Sequence, residues 1–139
     1  MGKTYDQHCP IAMTLDLIGD RWTLLILRDL AFGRSRFNEL LATSPGMSTK
    51  ILSERLKLLE SHGLIERTVY SEHPLRAEYH LTQLGLSLEP VLTAIAEWGL
   101  THLIPRKEGQ AIRGMIDAMK APRPGSMPAK KRADTATSA

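Results

Sequence analysis

One cysteine is all that the 139 residues contain. A single thiol closes no internal disulfide, which fits a reducing compartment and leaves Cys9 free. Long apolar runs are missing too. Nothing approaches the roughly 20 residues that a membrane span needs, and the opening "MGKTYDQHCP" lacks the apolar centre of a signal peptide, so a cytoplasmic location with no membrane partner is expected. Asp6 also departs from the myristoylation pattern, despite the Met-Gly start. Catalytic apparatus is equally sparse. There is no Gly-rich phosphate loop and no paired carboxylate set. The histidines at 8, 62, 73, 80 and 102 show no metal-ligand spacing with Cys9, so neither a metal nor a cofactor is expected. An enzyme would have to use Cys9 as nucleophile, with only His8 or a distant histidine as base. That makes a non-enzyme the leading expectation.

Bulk composition is ordinary, and its distribution is uneven. Hydrophobic residues at 42% and charged residues at 24% suit a soluble globular protein with one core. The pI of about 9.2 suggests a polyanionic partner. From Pro105 onward, however, eight Lys or Arg stand against three acids, whereas residues 1–104 hold ten bases and twelve acids. The basic pI therefore belongs to the C-terminal end. Local charge is more telling. Between Gly33 and Leu58, Arg34, Arg36, Lys50, Arg55 and Lys57 are offset only by Glu39 and Glu54.

Periodicity and punctuation set the order of elements. Pro10 at an acceptable first position opens a helix over 10–18, which Gly19 ends. Asp20 is expected to cap a helix over 21–31, whose "WTLLIL" is apolar nearly all round and so central. Ser35 is expected to cap "RFNELLAT". The turn signal "SPG" at 44–46 follows, then Ser48 as N-cap with Met47 and Leu52 at hydrophobic-staple spacing, and Gly63 as the stop. Two β-rich segments, 64–70 and 77–81, with "SEHPLR" as an exposed connection, read as a hairpin. Thr82 is expected to cap one long helix, kinked at Pro90, whose Leu88, Val91, Leu92, Ile95 and Trp98 form a stripe. Residues 105–139 are expected to form a basic, largely disordered tail, with room for one weak helix over "RKEGQAIRGMIDAMK".

The fold expected is mainly α with a small β-hairpin wing (α+β), a winged helix-turn-helix over residues 1–104. Two helices joined by a short Gly-containing turn place the N-terminal end of the second in a DNA major groove. In "SPGMSTKILSERLKLLESHGLIER", Leu52, Leu56 and Leu59 fall on one face. Ser48, Thr49, Lys50, Ser53 and Lys57 fall on the other, where short polar groups permit close approach to base edges. Arg36 is expected near the DNA backbone, and Arg76 at the wing tip near a narrow minor groove. Arg55 either reaches a phosphate or pairs with a neighbouring acid.

Three stretches carry a family resemblance: "CPIAMTLDLIGDRWTLLILRDLAFGRSRFNELL", "GMSTKILSERLKLLESHGLIER" and "PLRAEYHLTQLGLSLEPVLTAIAEWG". Over roughly residues 9–99 the chain resembles the HxlR-type winged-helix regulators, a bacterial group related to the MarR regulators. The resemblance implies a homodimer joined through the first and last helices that binds double-stranded DNA and regulates transcription as a repressor or an activator; a repressor on a pseudo-palindromic operator is the expectation taken here. It also implies a sensing role for a cysteine at the position of Cys9, with an oxidant or small molecule as effector. Beside it stands a plainer reading, a small apolar residue under the dimer interface. The expected interface comprises Ile11 and Leu15 of the first helix with Leu88, Val91, Leu92, Ile95 and Trp98 of the last, since a projecting apolar stripe is costly in a monomer. A winged domain that binds protein instead of DNA is the alternative that the net −2 of residues 1–104 leaves open.

Overall fold

The computed structural model describes residues 8–120. Among them run α1 (Pro10–Ile18), α2 (Thr23–Ala31), α3 (Phe37–Ala42), α4 (Thr49–Ser61), β1 (Ile65–Glu72), β2 (Leu75–Leu81), α5 (Gln83–Leu86), α6 (Glu89–His102) and α7 (Arg106–Lys120). The hairpin β1–β2 is antiparallel. Ile26, Leu27 and Leu30 of α2 are buried at the centre, with Ile18, Leu40, Leu52, Leu56, Leu59, Leu64 and Ile65 around them. Each such side chain contributes about 1.5–3 kcal/mol on leaving water.

One buried charge anchors the α2–α3 connection. Asp29 is 2% exposed, and three side-chain donors meet its carboxylate. Thr43 Oγ1 donates to it at 2.5 Å, Arg28 Nε at 3.1 Å and Arg34 Nη1 at 3.5 Å, the pairing that a buried carboxylate requires.

Local chemistry explains both ends of α4. The N–H of Met47 donates to the Ser44 carbonyl at 3.1 Å, and Gly46 takes φ +92°, as the third position of a type II turn demands. Ser48 then caps the helix, its Oγ accepting from Ile51 N–H at 3.1 Å. Met47 and Leu52 are both buried in the core cluster, as the staple spacing predicts. At the far end Gly63 adopts φ +74°. Its N–H donates to Glu60 O at 3.0 Å, and that of Leu64 to Leu59 O at 2.9 Å, the paired bonds of a Schellman stop.

The structure corrects several boundaries. Helix α2 begins at Thr23, and Asp20 acts one turn earlier, its Oδ1 accepting from the N–H groups of Trp22 at 2.9 Å and Thr23 at 3.0 Å. At α3 the N-cap position falls to Arg36, whose N–H donates to Glu39 Oε1 at 3.0 Å. Ser35 is drawn instead to the hairpin, its carbonyl accepting from Tyr79 N–H at 2.7 Å. The hairpin strands run longer than expected and leave only His73 and Pro74 between them. Pro90 starts a helix and does not kink one: Thr82 caps the short α5 through Gly85 N–H at 3.1 Å, and α6 opens with Pro90 in its first turn, where the missing N–H has no cost. Within the stretch 105–139, the segment "RKEGQAIRGMIDAMK" that had room for one weak helix forms α7, which packs on α6. Ile116 is buried there, and Lys120 pairs with Glu97 of α6. The remainder of that stretch, 121–139, lies outside the described residues.

Candidate nucleic-acid interface

Helices α3 and α4, joined by the Ser44–Met47 turn, form a helix-turn-helix. With Leu52, Leu56 and Leu59 buried, the opposite side of α4 must face outward. There Thr49, Lys50 and Lys57 are exposed and Ser53 is half-buried. Ser48 is exposed at the N-terminus. Its oxygen accepts from the helix while its own O–H proton stays free to donate, and neighbouring N–H groups of the first turn point the same way. That end of α4 therefore presents donors and partial positive charge, suited to an anionic oxygen.

The hairpin flanks α4. Arg76 lies in β2 opposite Ser71, next to the last rung before the turn, and is exposed; it is displaced by one rung from the tip position expected of it. Arg36, expected near a phosphate, has its Nε 3.5 Å from Glu78 Oε1 and its guanidinium 5.1 Å above the Tyr70 ring centroid. Arg55 resolves its two readings toward the acid: its Nε lies 3.2 Å from Asp20 Oδ1. These partners, Tyr70, Glu78 and Asp20, are site residues that sequence reasoning missed. They come from elements separated in the chain, and no spacing signals their meeting.

The HxlR-like helix-turn-helix family model matches residues 17–108. The chain belongs to that family. An HTH-type transcriptional regulator of Synechocystis sp. is 47% identical over 91 residues, 66% of this chain and 67% of that protein. Among solved structures, the redox regulator HypR in its oxidised form superposes with a TM-score of 0.64 at 35% identity, covering 70% of this chain and all of that one. The reduced form of the transcriptional regulator YodB from Bacillus subtilis gives 0.59 at 38% identity, covering 70% of this chain and 96% of that one. This HxlR-like chain is thus a winged helix-turn-helix transcriptional regulator, and most of α7 lies beyond the residues its family model matches.

On the expected dimerisation face, Ile11 of α1 is 72% exposed and Trp98 of α6 is 59% exposed, with Leu15, Val91 and Ile95 exposed beside them. Leu92 is not on that face. It is 8% exposed and belongs to the core cluster, against which Leu88 also packs. The reason lies within α6 itself: at 3.6 residues per turn Leu92 is rotated about 100° from Val91, so it turns inward while Val91, Ile95 and Trp98 share the outer side. Cys9 is half-buried at the N-cap position of α1, and its side chain makes no capping bond. No helix among the described residues is long and apolar enough to cross a membrane.

Proposed function

We propose that the protein acts in the cytoplasm as a homodimeric repressor that binds a pseudo-palindromic operator in double-stranded DNA. In this reading α4 enters the major groove. Ser48 and the first-turn N–H groups meet a phosphate, Thr49, Lys50 and Ser53 approach base edges, and Lys57 and Arg76 add backbone and minor-groove charge. The observation that carries it is the outward end of α4, polar and cationic while its leucines are buried. The exposed apolar residues of α1 and α6 support a two-fold dimer, which would set the two recognition helices about 34 Å apart.

The same proposal gives Cys9 a sensing role. HypR and YodB are relatives whose structures are described by redox state or by their reduced form. In this chain the thiol sits at the start of α1, beside the apolar residues offered for dimerisation. An oxidant or small-molecule effector acting there would alter the spacing or tilt of the two heads, a coupling of about 1–3 kcal/mol.

Selection of bound sequences from random DNA, with and without oxidant, tests both parts. Recovery of an inverted repeat whose binding responds to oxidant is the expected result. A monomer in solution, or no sequence preference at moderate salt, removes the reading.

A further inference from the structure

The arrangement around Arg36 is more specific than a phosphate contact needs. Tyr70 is the residue at which the hairpin register slips. Val69 opposes Ala77 and Ser71 opposes Arg76, so Tyr70 has no partner across the ladder. A bulge re-aims the side chain it carries and sharpens the local twist. Here it places the Tyr70 ring beneath the Arg36 guanidinium, 5.1 Å from the centroid. It also sets the direction of the last rungs, Ser71–Arg76 and Glu72–Leu75. From the other strand, Glu78 Oε1 approaches Arg36 Nε at 3.5 Å, while its Oε2 lies 3.4 Å from His80 Nε2. The backbones of Arg36 and Glu78 form an isolated antiparallel bridge.

We propose that Arg36 is a positioning residue: stacked on the bulged Tyr70 and paired with Glu78, it fixes the angle of the wing to α3 and α4 and so aims Arg76. The proposal rests on the DNA-binding reading above and changes the role of Arg36 within it from phosphate contact to clamp. Exposed ion pairs and cation–π contacts add little to stability. Two contacts to different strands of one hairpin, however, restrain its direction. A planar guanidinium stacks and pairs at once, which an ammonium does less well.

The full chain carrying Arg36→Ala, Glu78→Gln or both separates clamp from contact. Glu78→Gln is the deciding variant, because it breaks the pair yet leaves the charge of Arg36 available to a phosphate. Two readouts are taken: amide hydrogen exchange across residues 65–81 without DNA, and affinity for the selected operator at several salt concentrations. The clamp predicts faster exchange in the hairpin and roughly five- to tenfold weaker specific binding for each single variant, an unchanged salt slope, and a double variant no weaker than Arg36→Ala alone. The proposal is overturned if Glu78→Gln holds or raises affinity while Arg36→Ala weakens it and reduces the salt slope by about one. Unchanged exchange in both variants overturns it as well. Should the wild-type protein show no sequence preference, the DNA reading falls and exchange alone decides: faster exchange supports the clamp, and unchanged exchange removes it.

Discussion

Arg55 of α4 and Asp20 at the α1–α2 corner form an ion pair, Nε to Oδ1 at 3.2 Å. The approach does not have hydrogen-bond alignment, so the attraction is of charge. Asp20 also accepts from the Thr23 hydroxyl, and Thr23 is fully buried. One carboxylate thus holds the start of α2 and the middle of the recognition helix together, close to the segment that α1 leads into.

That carboxylate makes stability depend on pH. Burial pushes the Asp20 carboxyl up, but bonds from the Thr23 hydroxyl and the Trp22 and Thr23 N–H groups, with the Arg55 charge, outweigh it and leave the group below its ordinary value of 3.8. A carboxyl lowered by folding stabilises the protein above its unfolded value, and the gain disappears as pH falls through the folded one. Asp20→Ala is therefore expected to cost about 1 kcal/mol at pH 7, with the difference from wild type shrinking as pH drops below about 4. Urea unfolding at neutral and acid pH measures it. A gap that stays constant into acid would show that the charge of Asp20 plays no part.

Lys50→Ala and Ser53→Ala are expected to weaken specific DNA binding by about 1–3 kcal/mol each where a base edge is lost, and to leave thermal unfolding nearly unchanged. Lys57→Ala is expected to weaken all sequences alike and to reduce the salt slope by about one. Binding isotherms at several salt concentrations distinguish the two behaviours.

The residues of the α6 stripe are expected to behave in two ways. Leu92→Ala removes a core side chain and should cost about 2–5 kcal/mol of folding stability. Ile95→Glu and Trp98→Glu alter exposed positions and should leave each subunit folded while breaking the dimer. Sedimentation and circular dichroism on the three variants test this. A fully dimeric Trp98→Glu protein would move the interface elsewhere.

Cys9→Ser is expected to fold and to bind the operator as wild type does, because the thiol makes no capping bond. Its binding should no longer respond to oxidant. Loss of response would mark the thiol as the sensor. Persistent response would return Cys9 to the plainer role of a small half-buried residue.

Much of the architecture was legible because the signals are local. The Ser44–Met47 turn, the Ser48 cap, the Gly63 stop and the leucine spacing of α4 each act within a few residues, and each is where the sequence places it. Boundaries moved where a distant partner intervened. Ser35 lost its capping role because β2 reached its carbonyl, and the stripe of α6 divided because the core took Leu92 from one side of that helix while Val91, Ile95 and Trp98 stayed on another. Helix α7 reads as weak in the sequence because its polar majority gives little reason to fold alone, and contact with α6 supplies one.

For the recognition helix, then, sequence alone settled what it is made of and which side turns outward, since hydrophobic period and capping are properties of adjacent residues. Tertiary structure decided what surrounds it: Arg55 held by Asp20, Arg36 held between Tyr70 and Glu78, and Leu92 taken into the core. Those outcomes depend on side chains brought together from separate elements, and their meeting is fixed only when the core closes.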